Sequence, residues 1–172
     1  FFAALRSGKA SIVTDQIDRF TCRGLLLNSG EELPADIIVT ATGFNLAVMG
    51  EVDLIVDGRP IDLSRTIVYK GCAFAGVPNL WMVMGYMSVS WTLRVDLVVA
   101  YACRLLNHMS QTGTRQCRPC LRESDHDMES RPIAPEFTSG YLQRSRHKIP
   151  KQGDREPWLF SQDYTEDKKS FL

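Results

Sequence analysis

The sequence predicts a mixed α/β fold with hairpins, one long buried helix and an irregular tail. Three observations support this prediction. The segment ADIIVTAT, residues 35–42, is rich in consecutive β-branched residues, as in strands that are buried on both faces of a parallel sheet. Short apolar segments flank hairpin-turn residues at two places. The segment WTLRVDLVVAYACRLLNHMSQ has the periodicity of a helix.

The residues that precede ADIIVTAT, called the apolar segment below, predict a short helix and short strands. A short helical run opens the chain, and Ile12, Val13 and Ile17 suggest two short strands. The segment GLLLNSGEEL follows and predicts a hairpin between Leu25–Leu27 and Leu33, because Asn-Ser-Gly is a typical turn sequence.

The residues that follow the apolar segment predict a second hairpin and two further strands. In LIVDGRPIDL, Asp57 and Gly58 predict a tight turn, because glycine tolerates the positive φ that such a turn requires. The segments TIVYKGCAFAG and LWMVMGY each read as one strand, and Pro78-Asn79 separates them.

The long helix has clear predicted limits. Ser88 or Ser90 is expected to cap its start, and Gly113 is expected to end it. Its polar positions fall on one stripe, while most of the remaining surface is apolar. The helix is therefore predicted to be largely buried, with one edge in water. The stripe consists of Arg94, Tyr101, Arg104 and His108.

Beyond Thr112 the sequence becomes polar and irregular. Prolines prevent regular elements there, and aromatic residues between them offer docking points, which predicts an extended tail on a neighbouring surface. The prolines are Pro132, Pro135, Pro150 and Pro157, and the aromatic residues are Phe137, Tyr141, Trp158 and Tyr164.

Composition excludes several classes of function. The 172 residues include 20 Lys and Arg and 20 Asp and Glu, so no net charge favours nucleic acid or an anionic membrane. The five cysteines are scattered, unlike a secreted disulfide framework. The apolar stretch Leu97–Cys103 is too short to be a transmembrane segment, and no secretory leader is visible. A cytoplasmic location is expected. The start at Phe1, without a methionine, reads like a piece of a longer polypeptide.

Two places could carry chemistry. In LWMVMGYMSVSWTL a strand ends at Gly85 and a helix begins near Ser90, whose first N–H groups would favour an anion or an electron-rich oxygen. The simpler alternative is that this serine only caps the helix. The pair Cys117 and Cys120, with His108 and His126 nearby, offers a weak zinc hypothesis, because a structural site usually needs two such pairs.

Several segments together resemble the flavin-containing monooxygenases, in particular their Baeyer–Villiger branch. These are GEELPADIIVTATGFN, DGRPIDLSRTIVYKG, GVPNLWMVMGY, SWTLRVDLVVAYACRLLNHM and the tail PEFTSGYLQRS…IPKQG…PW. The resemblance covers essentially the whole chain. It implies the C-terminal portion of a flavoprotein with two Rossmann-like dinucleotide-binding domains. Residues 1–113 would belong to the FAD/NADPH-binding region, and residues 114–172 would form the tail.

The resemblance also implies site residues. Small residues after the apolar segment would let the backbone approach FAD. Backbone N–H groups at the start of the long helix would face the flavin pyrimidine and stabilise its reduced form. The implied cofactor-binding residues are Ala41, Thr42, Gly43, Ser90, Trp91, Thr92 and Leu93, and the implied substrate-pocket residues are Met84, Tyr86 and Met87, with Trp91 beside them. No catalytic residue or metal ligand is identified.

The function implied is an FAD- and NADPH-dependent monooxygenase. It would transfer one oxygen atom from O2 to ketones or to sulfur compounds through a C4a-peroxyflavin. No G-x-G-x-x-G fingerprint occurs in the sequence, so this part alone is expected to be inactive and to need an N-terminal part of the same enzyme. An open sheet edge and exposed apolar faces would favour self-association. The alternatives are a non-catalytic interaction or zinc-binding module, and a flavin reductase that does not insert oxygen.

Overall fold

The computed structural model describes every residue from Phe1 to Leu172. The chain forms two compact units, Phe1–Thr42 and Gly43–Leu172. Both helices and strands are present, so the mixed α/β class is confirmed. The Rossmann-like organisation of a larger protein, and the division at Gly113 that goes with it, stay predictions.

The first unit is a short helix followed by a three-stranded antiparallel sheet. The helix α1 spans Phe2–Arg6, and the strands in spatial order are β1 (Ile17–Phe20), β2 (Gly24–Leu27) and β3 (Glu32–Pro34). The predicted hairpin is confirmed, with Leu25 opposite Leu33. The strand at Ile17 is also confirmed, whereas Ile12 and Val13 form none.

The apolar segment at residues 35–42 is not a strand, and this prediction was wrong. Ile37 and Val39 are 83% and 85% exposed instead of buried on both faces. A parallel strand needs hydrogen-bonded neighbours, and the sheet of this unit is antiparallel and stops at β3, which ends in Pro34. The β-branched composition therefore has no strand of the unit to pair with.

The second unit contains three two-stranded antiparallel sheets, of which the first two are hairpins, and three α-helices. The strand pairs are β4 (Ile55–Val56) with β5 (Arg59–Pro60), β6 (Val68–Tyr69) with β7 (Ala73–Phe74), and β8 (Arg131–Pro132) with β9 (Lys151–Gln152). The helices are α2 (Trp91–Thr112), α3 (Gly140–Ser145) and α4 (Tyr164–Phe171), and short 3₁₀ helices occupy Val48–Glu51, Leu63–Arg65 and Glu123–Asp125.

The turns of these hairpins follow local backbone chemistry. Asp57 and Gly58 both have positive φ, which confirms the predicted tight turn between β4 and β5. The segment TIVYKGCAFAG is a hairpin rather than a single strand, because Lys70 and Gly71 also adopt positive φ and reverse the chain. The segment LWMVMGY forms no strand. Its Met82 N–H donates to the carbonyl of Cys72 at 2.8 Å, and no β-ladder develops beside it.

The limits of helix α2 agree with the prediction, and its orientation agrees in part. The helix ends at Gly113, which is left-handed with φ 68. The predicted wet stripe is divided: Arg94 is fully buried and Tyr101 packs edge-on against Trp81 and Phe171, whereas Arg104 and His108 are exposed. The helix packs against α4, which supplies polar partners for this stripe. Much of the apolar side is therefore exposed.

The tail is more regular than predicted, since it contains α3 and α4. Trp158 is buried at 1% exposure, as expected of a docking residue, whereas Tyr164 is 37% exposed. Aromatic residues of the tail complete both core clusters of the unit. One consists of Val68, Phe74, Val77 and Phe160, and the other of Cys72, Leu97, Val98 and Phe171. None of the helices combines the length and the apolar character required to cross a membrane.

Candidate functional site

An apolar cavity of about 490 Å³ lies in the second unit beside the start of helix α2. Its wall includes Met84 and Met87, two of the three residues that the resemblance assigns to a substrate pocket. Trp91, assigned to the cofactor side, also lines it. The remaining wall comes from residues 44–49, from Met82 and Val83, and from the region of α3, including Ile133, Phe137, Tyr141, Leu142, Arg146 and Ile149.

Aromatic side chains form part of the wall of this cavity. Phe44 and Tyr141 come from distant parts of the sequence, and their ring centroids lie 4.3 Å apart. Phe44 and Trp91 remain 59% and 56% exposed, so the cavity opens to the surface at these two residues. Arg146 is its cationic lining residue, and its guanidinium donates to the carbonyl of Pro135 at 3.2 Å. The cavity therefore suits an apolar guest with one polar end.

Gly85 explains how Trp91 reaches its position. A Cβ atom at Gly85 would lie 2.4 Å from Cγ and 2.5 Å from Cδ2 of the Trp91 indole, and 2.7 Å from its Cα. No side chain fits there without moving both the indole and the first residue of α2. The absence of a side chain at Gly85 therefore serves a close approach within the chain itself.

The start of α2 is open, in the sense that its first N–H groups have no hydrogen-bond acceptor in the chain. Ser90 occupies the N-cap position, but its side chain makes no capping bond; its Oγ lies 2.8 Å from Oγ1 of Thr92. The N–H groups of Trp91, Thr92 and Leu93 have no acceptor in the chain, and all three residues are exposed. The predicted N-cap position of Ser90 is confirmed, whereas the side-chain hydrogen bond typical of such a cap is missing. The unpaired amides and the helix dipole make this end attractive to negative charge.

The small residues that follow the apolar segment lie where the two units join in sequence. Ala41 and Thr42 end the first unit, Gly43 begins the second, and all three are exposed. Gly43 has φ 88, a left-handed conformation that favours glycine, and nothing lies within 4 Å of the position of its missing Cβ. Their assignment to FAD stays a prediction.

Tyr86, the third residue assigned to the substrate pocket, does not line the cavity. Its side chain is fully buried, and its hydroxyl donates to Oδ2 of Asp167 at 2.6 Å. Burial raises the pKa of Tyr86 above its ordinary value, and the Asp167 carboxylate contributes in the same direction. Tyr86 therefore helps to hold α4 in place, one residue after the glycine that admits Trp91.

Sequence reasoning missed the ion pair that accompanies Tyr86. Arg94 donates to Asp167 at 2.5 Å, to the carbonyl of Ser161 at 2.7 Å and to that of Lys70 at 2.7 Å. Its guanidinium also lies 4.5 Å from the ring centroid of Phe160. An arginine among the apolar residues of α2 indicates that a buried acidic partner is needed. The sequence does not indicate which acidic residue is that partner.

The zinc alternative gains no geometric support. No three potential ligands among His, Cys, Asp and Glu come together anywhere in the chain, and all five cysteines are free thiols. Cys117 and Cys120 do share the wall of a second cavity, which is polar and lacks histidine.

Curated proteins with similar sequences are flavoprotein monooxygenases. The chain is 47% identical over 166 residues to the FAD-containing monooxygenase EthA of Mycobacterium tuberculosis, which covers 96% of this chain and 33% of that protein. It is 42% identical over 163 residues to EthA of Mycolicibacterium smegmatis, covering 95% and 32%. It is 41% identical over 172 residues to the "Probable FAD-binding monooxygenase AlmA" of Acinetobacter sp, covering 98% and 33%.

No family model and no solved structure matches the chain. The chain spans about a third of the length of the curated relatives that it matches. Because the similarity extends over nearly all of its residues, the chain belongs to the family of FAD-containing monooxygenases and corresponds to their C-terminal portion.

Proposed function

We propose that this chain is the flavin-facing and substrate-facing C-terminal part of an FAD- and NADPH-dependent monooxygenase. The observation that carries the proposal is the open start of α2 beside the apolar cavity, with Trp91 common to both. One place thus offers unpaired N–H groups for an electron-rich ring and an apolar space for a substrate. The relatives are named for FAD, which supports flavin as that ring.

The residues at the start of α2 fit the electron-rich edge of a flavin. The amides of Trp91, Thr92 and Leu93 are unpaired, and no side chain of this unit caps them. They would hold the pyrimidine edge of FAD, where negative charge accumulates on reduction, and would stabilise the reduced form. When bound, FAD supplies the electron transfer from NADPH and the activation of O2. The protein residues orient the reactants and exclude water.

The cavity beside the helix would take the organic substrate. Met84, Met87 and Trp91 give it an apolar wall that would hold a ketone or a thioether and keep bulk water away. The substrate carbon or sulfur would then lie against the flavin edge. Ala41, Thr42 and Gly43 would complete the cofactor contacts, and an N-terminal part of the enzyme would supply the phosphate-binding fingerprints that this sequence lacks. The odd number of free thiols is compatible with a cytoplasmic location.

The proposal is tested on the complete gene product. Purified protein should be yellow, bind FAD, consume O2 in the presence of NADPH, and convert a ketone to an ester or a thioether to a sulfoxide. A protein with stoichiometric zinc and no flavin would overturn the proposal in favour of the interaction or zinc-binding module. Reduction of dyes by NADPH without any oxygenated product would indicate a flavin reductase instead.

A further inference from the structure

A second cavity of about 490 Å³ lies in the same unit and is not used by the proposed monooxygenase chemistry. It differs from the first in that its wall combines aromatic rings with charged side chains. The rings belong to Tyr69, Trp81, Tyr101 and Trp158, and the charged residues are Arg118, Arg122, Asp125, Arg155 and Glu156. Cys117 and Cys120 lie in the same wall.

The loop that carries the arginines is fixed by backbone bonds. The Asn79 side chain accepts from the N–H of Cys117 at 2.9 Å and donates to the carbonyl of Arg115 at 3.1 Å. The Asn79 N–H donates to the carbonyl of Cys117 at 2.9 Å, and the Gly76 N–H donates to that of Pro119 at 2.9 Å. Hydrogen bonds therefore hold the backbone on both sides of Arg118, at residues 115, 117 and 119.

Two of the three guanidinium groups in this wall have no partner. Arg155 pairs with Asp127 at 2.7 Å and with Asp154 at 3.1 Å. Arg118 and Arg122 form no ion pair, and their side chains make no hydrogen bond within the chain. The cavity thus presents two unpaired positive charges, which can bind an anion without first breaking an internal pair.

Trp158 provides an independent sign of a ligand. Its side chain is 1% exposed, and its Nε1–H has no acceptor in the chain. The indole lies near the Asp125 carboxylate and helps to lower the pKa of that group, after the larger effect of the Arg122 N–H, but without the geometry of a hydrogen bond. Native proteins rarely leave a buried donor unsatisfied, and an oxygen of a ligand could accept from this N–H if the indole turned towards the cavity that it lines.

We propose that this cavity binds an aromatic anion, that is, a flat ring carrying a carboxylate or a phosphate. The anionic group binds Arg118 and Arg122, and the ring packs among the aromatic side chains. The indole of Trp158 turns towards the cavity on binding, and its N–H donates to an oxygen of the ligand. A volume of this size holds a small organic molecule.

Thiol labelling tests the site without any activity measurement. The purified protein is treated with a maleimide in the presence of phenyl phosphate or benzoate, and the labelled positions are resolved by mass spectrometry. We expect the ligand to slow labelling of Cys117 and Cys120, which line the cavity, by at least about fivefold at saturation. The exposed Cys22 and Cys103 lie outside it and are internal controls that should not change. Whichever of the two ligands binds more tightly identifies the anionic group.

Matched arginine variants distinguish specific binding in this cavity from non-specific attraction of an anion to positive surface charge. Arg122→Gln should weaken phenyl phosphate binding by about tenfold, because a charge-assisted hydrogen bond is lost. Arg115→Gln removes an exposed arginine of the same loop that does not line the cavity, and should leave binding unchanged. Trp158→Phe keeps a ring but removes the N–H, and should weaken binding severalfold.

Three outcomes would overturn the proposal. In the first, neither anion protects Cys117 or Cys120. In the second, benzyl alcohol protects them as well as benzoate does, which would indicate apolar binding alone. In the third, inorganic phosphate protects as well as phenyl phosphate, or Arg115→Gln weakens binding as much as Arg122→Gln, which would indicate screening of surface charge.

Discussion

The carboxylate of Asp167 lies 2.5 Å from the guanidinium of Arg94, and water reaches almost none of this pair: the two side chains are 5% and 0% exposed. The tyrosine hydroxyl of Tyr86 donates to the same carboxylate oxygen, Oδ2. This cluster joins α2, α4 and the segment that leads to the open start of α2. It therefore fixes the helix on which the proposed flavin contact depends.

Removing one member of the pair should destabilise the protein strongly. Asp167→Ala should lower the free energy of unfolding by about 3–5 kcal/mol, because it leaves the Arg94 charge buried without compensation. Lys169→Ala, which breaks an exposed pair with Glu166 in the same helix, should cost less than about 1 kcal/mol. Urea unfolding followed by circular dichroism measures both. Equal effects of the two substitutions would mean that Arg94 finds another partner or reaches water.

The stability of the fold should decrease as the pH rises from 9 to 12. Burial raises the pKa of the Cys72 thiol from 9.0 to about 12, and burial also raises the pKa of Tyr86 above 10.0. The unfolded chain therefore releases these protons at lower pH than the native chain does, and alkaline pH favours unfolding. Each group contributes a slope of up to about 1.4 kcal/mol per pH unit.

Urea midpoints measured at several pH values across this window check the sign. Cys72→Ala should flatten the decrease, although it will also lower stability at neutral pH by removing a buried side chain. Stability that stays constant or rises between pH 9 and 12 would contradict the assignment of these two buried groups.

The close contact between Gly85 and Trp91 predicts an overpacking effect. Gly85→Ala places a methyl group against the indole, so it should lower the free energy of unfolding by about 1–3 kcal/mol. In the complete gene product it should also reduce FAD occupancy, because the start of α2 moves. Gly140→Ala, where the nearest atom is the flexible end of Arg144 at 3.1 Å, should have little effect.

A second substitution makes the Gly85 prediction specific. Trp91→Ala removes the clashing ring, so Gly85→Ala combined with Trp91→Ala should recover part of the stability lost by Gly85→Ala alone. Simple additivity of the two substitutions in a double-mutant cycle would contradict a direct steric contact.

The open amides of α2 predict a measurable change in the flavin potential. Thr92→Pro removes one N–H in the first turn, where proline is tolerated, so the reduced flavin should lose part of its stabilisation. The reduction potential in the complete gene product should fall by about 6–21 mV, given about 0.3–1 kcal/mol for a charge at a helix end and about 1.4 kcal/mol per 30 mV. Thr92→Ala keeps the N–H and is the matched control. An identical potential in both variants would argue against a flavin at this end.

The exposed apolar side of α2 predicts self-association of the isolated chain. Val99 and Leu106 lie seven residues apart on one face and are 47% and 60% exposed. Val99→Lys and Leu106→Lys should shift the protein towards the monomer in light scattering. Asn107→Lys adds the same charge at an exposed polar position of the helix and should not do so. A chain that is already monomeric at micromolar concentration would contradict this prediction.

Local chemistry made part of this structure predictable. Turn residues such as Asp57-Gly58 and the end of α2 at Gly113 depend on backbone preferences that a few residues determine. Residues 35–42 failed because strand formation depends on partners, and this composition finds none in its unit. The burial of Arg94 on α2 was missed for a related reason, since a charged side chain is buried only where a distant group pairs with it.

The residues of the candidate site were likewise predictable only where local sequence determines their position. Met84 and Met87 could be named because the resemblance places them at the end of an extended segment, and both line the cavity. Phe44 and Tyr141 could not be named, because their contact joins positions far apart in the chain. Tyr86 was misplaced because its hydroxyl pairs with Asp167, which lies 81 residues away and which the sequence does not indicate as its partner.

The separation of Arg94 from Asp167 also has a consequence for biosynthesis. The acid that neutralises Arg94 is translated 73 residues later. At about 5–20 residues per second, the nascent polypeptide exists for about 4–15 seconds with Arg94 made but its counter-charge not yet synthesised. During that interval α4 cannot cover the inward face of α2. The ribosome-bound intermediate should therefore depend on chaperones until α4 has emerged.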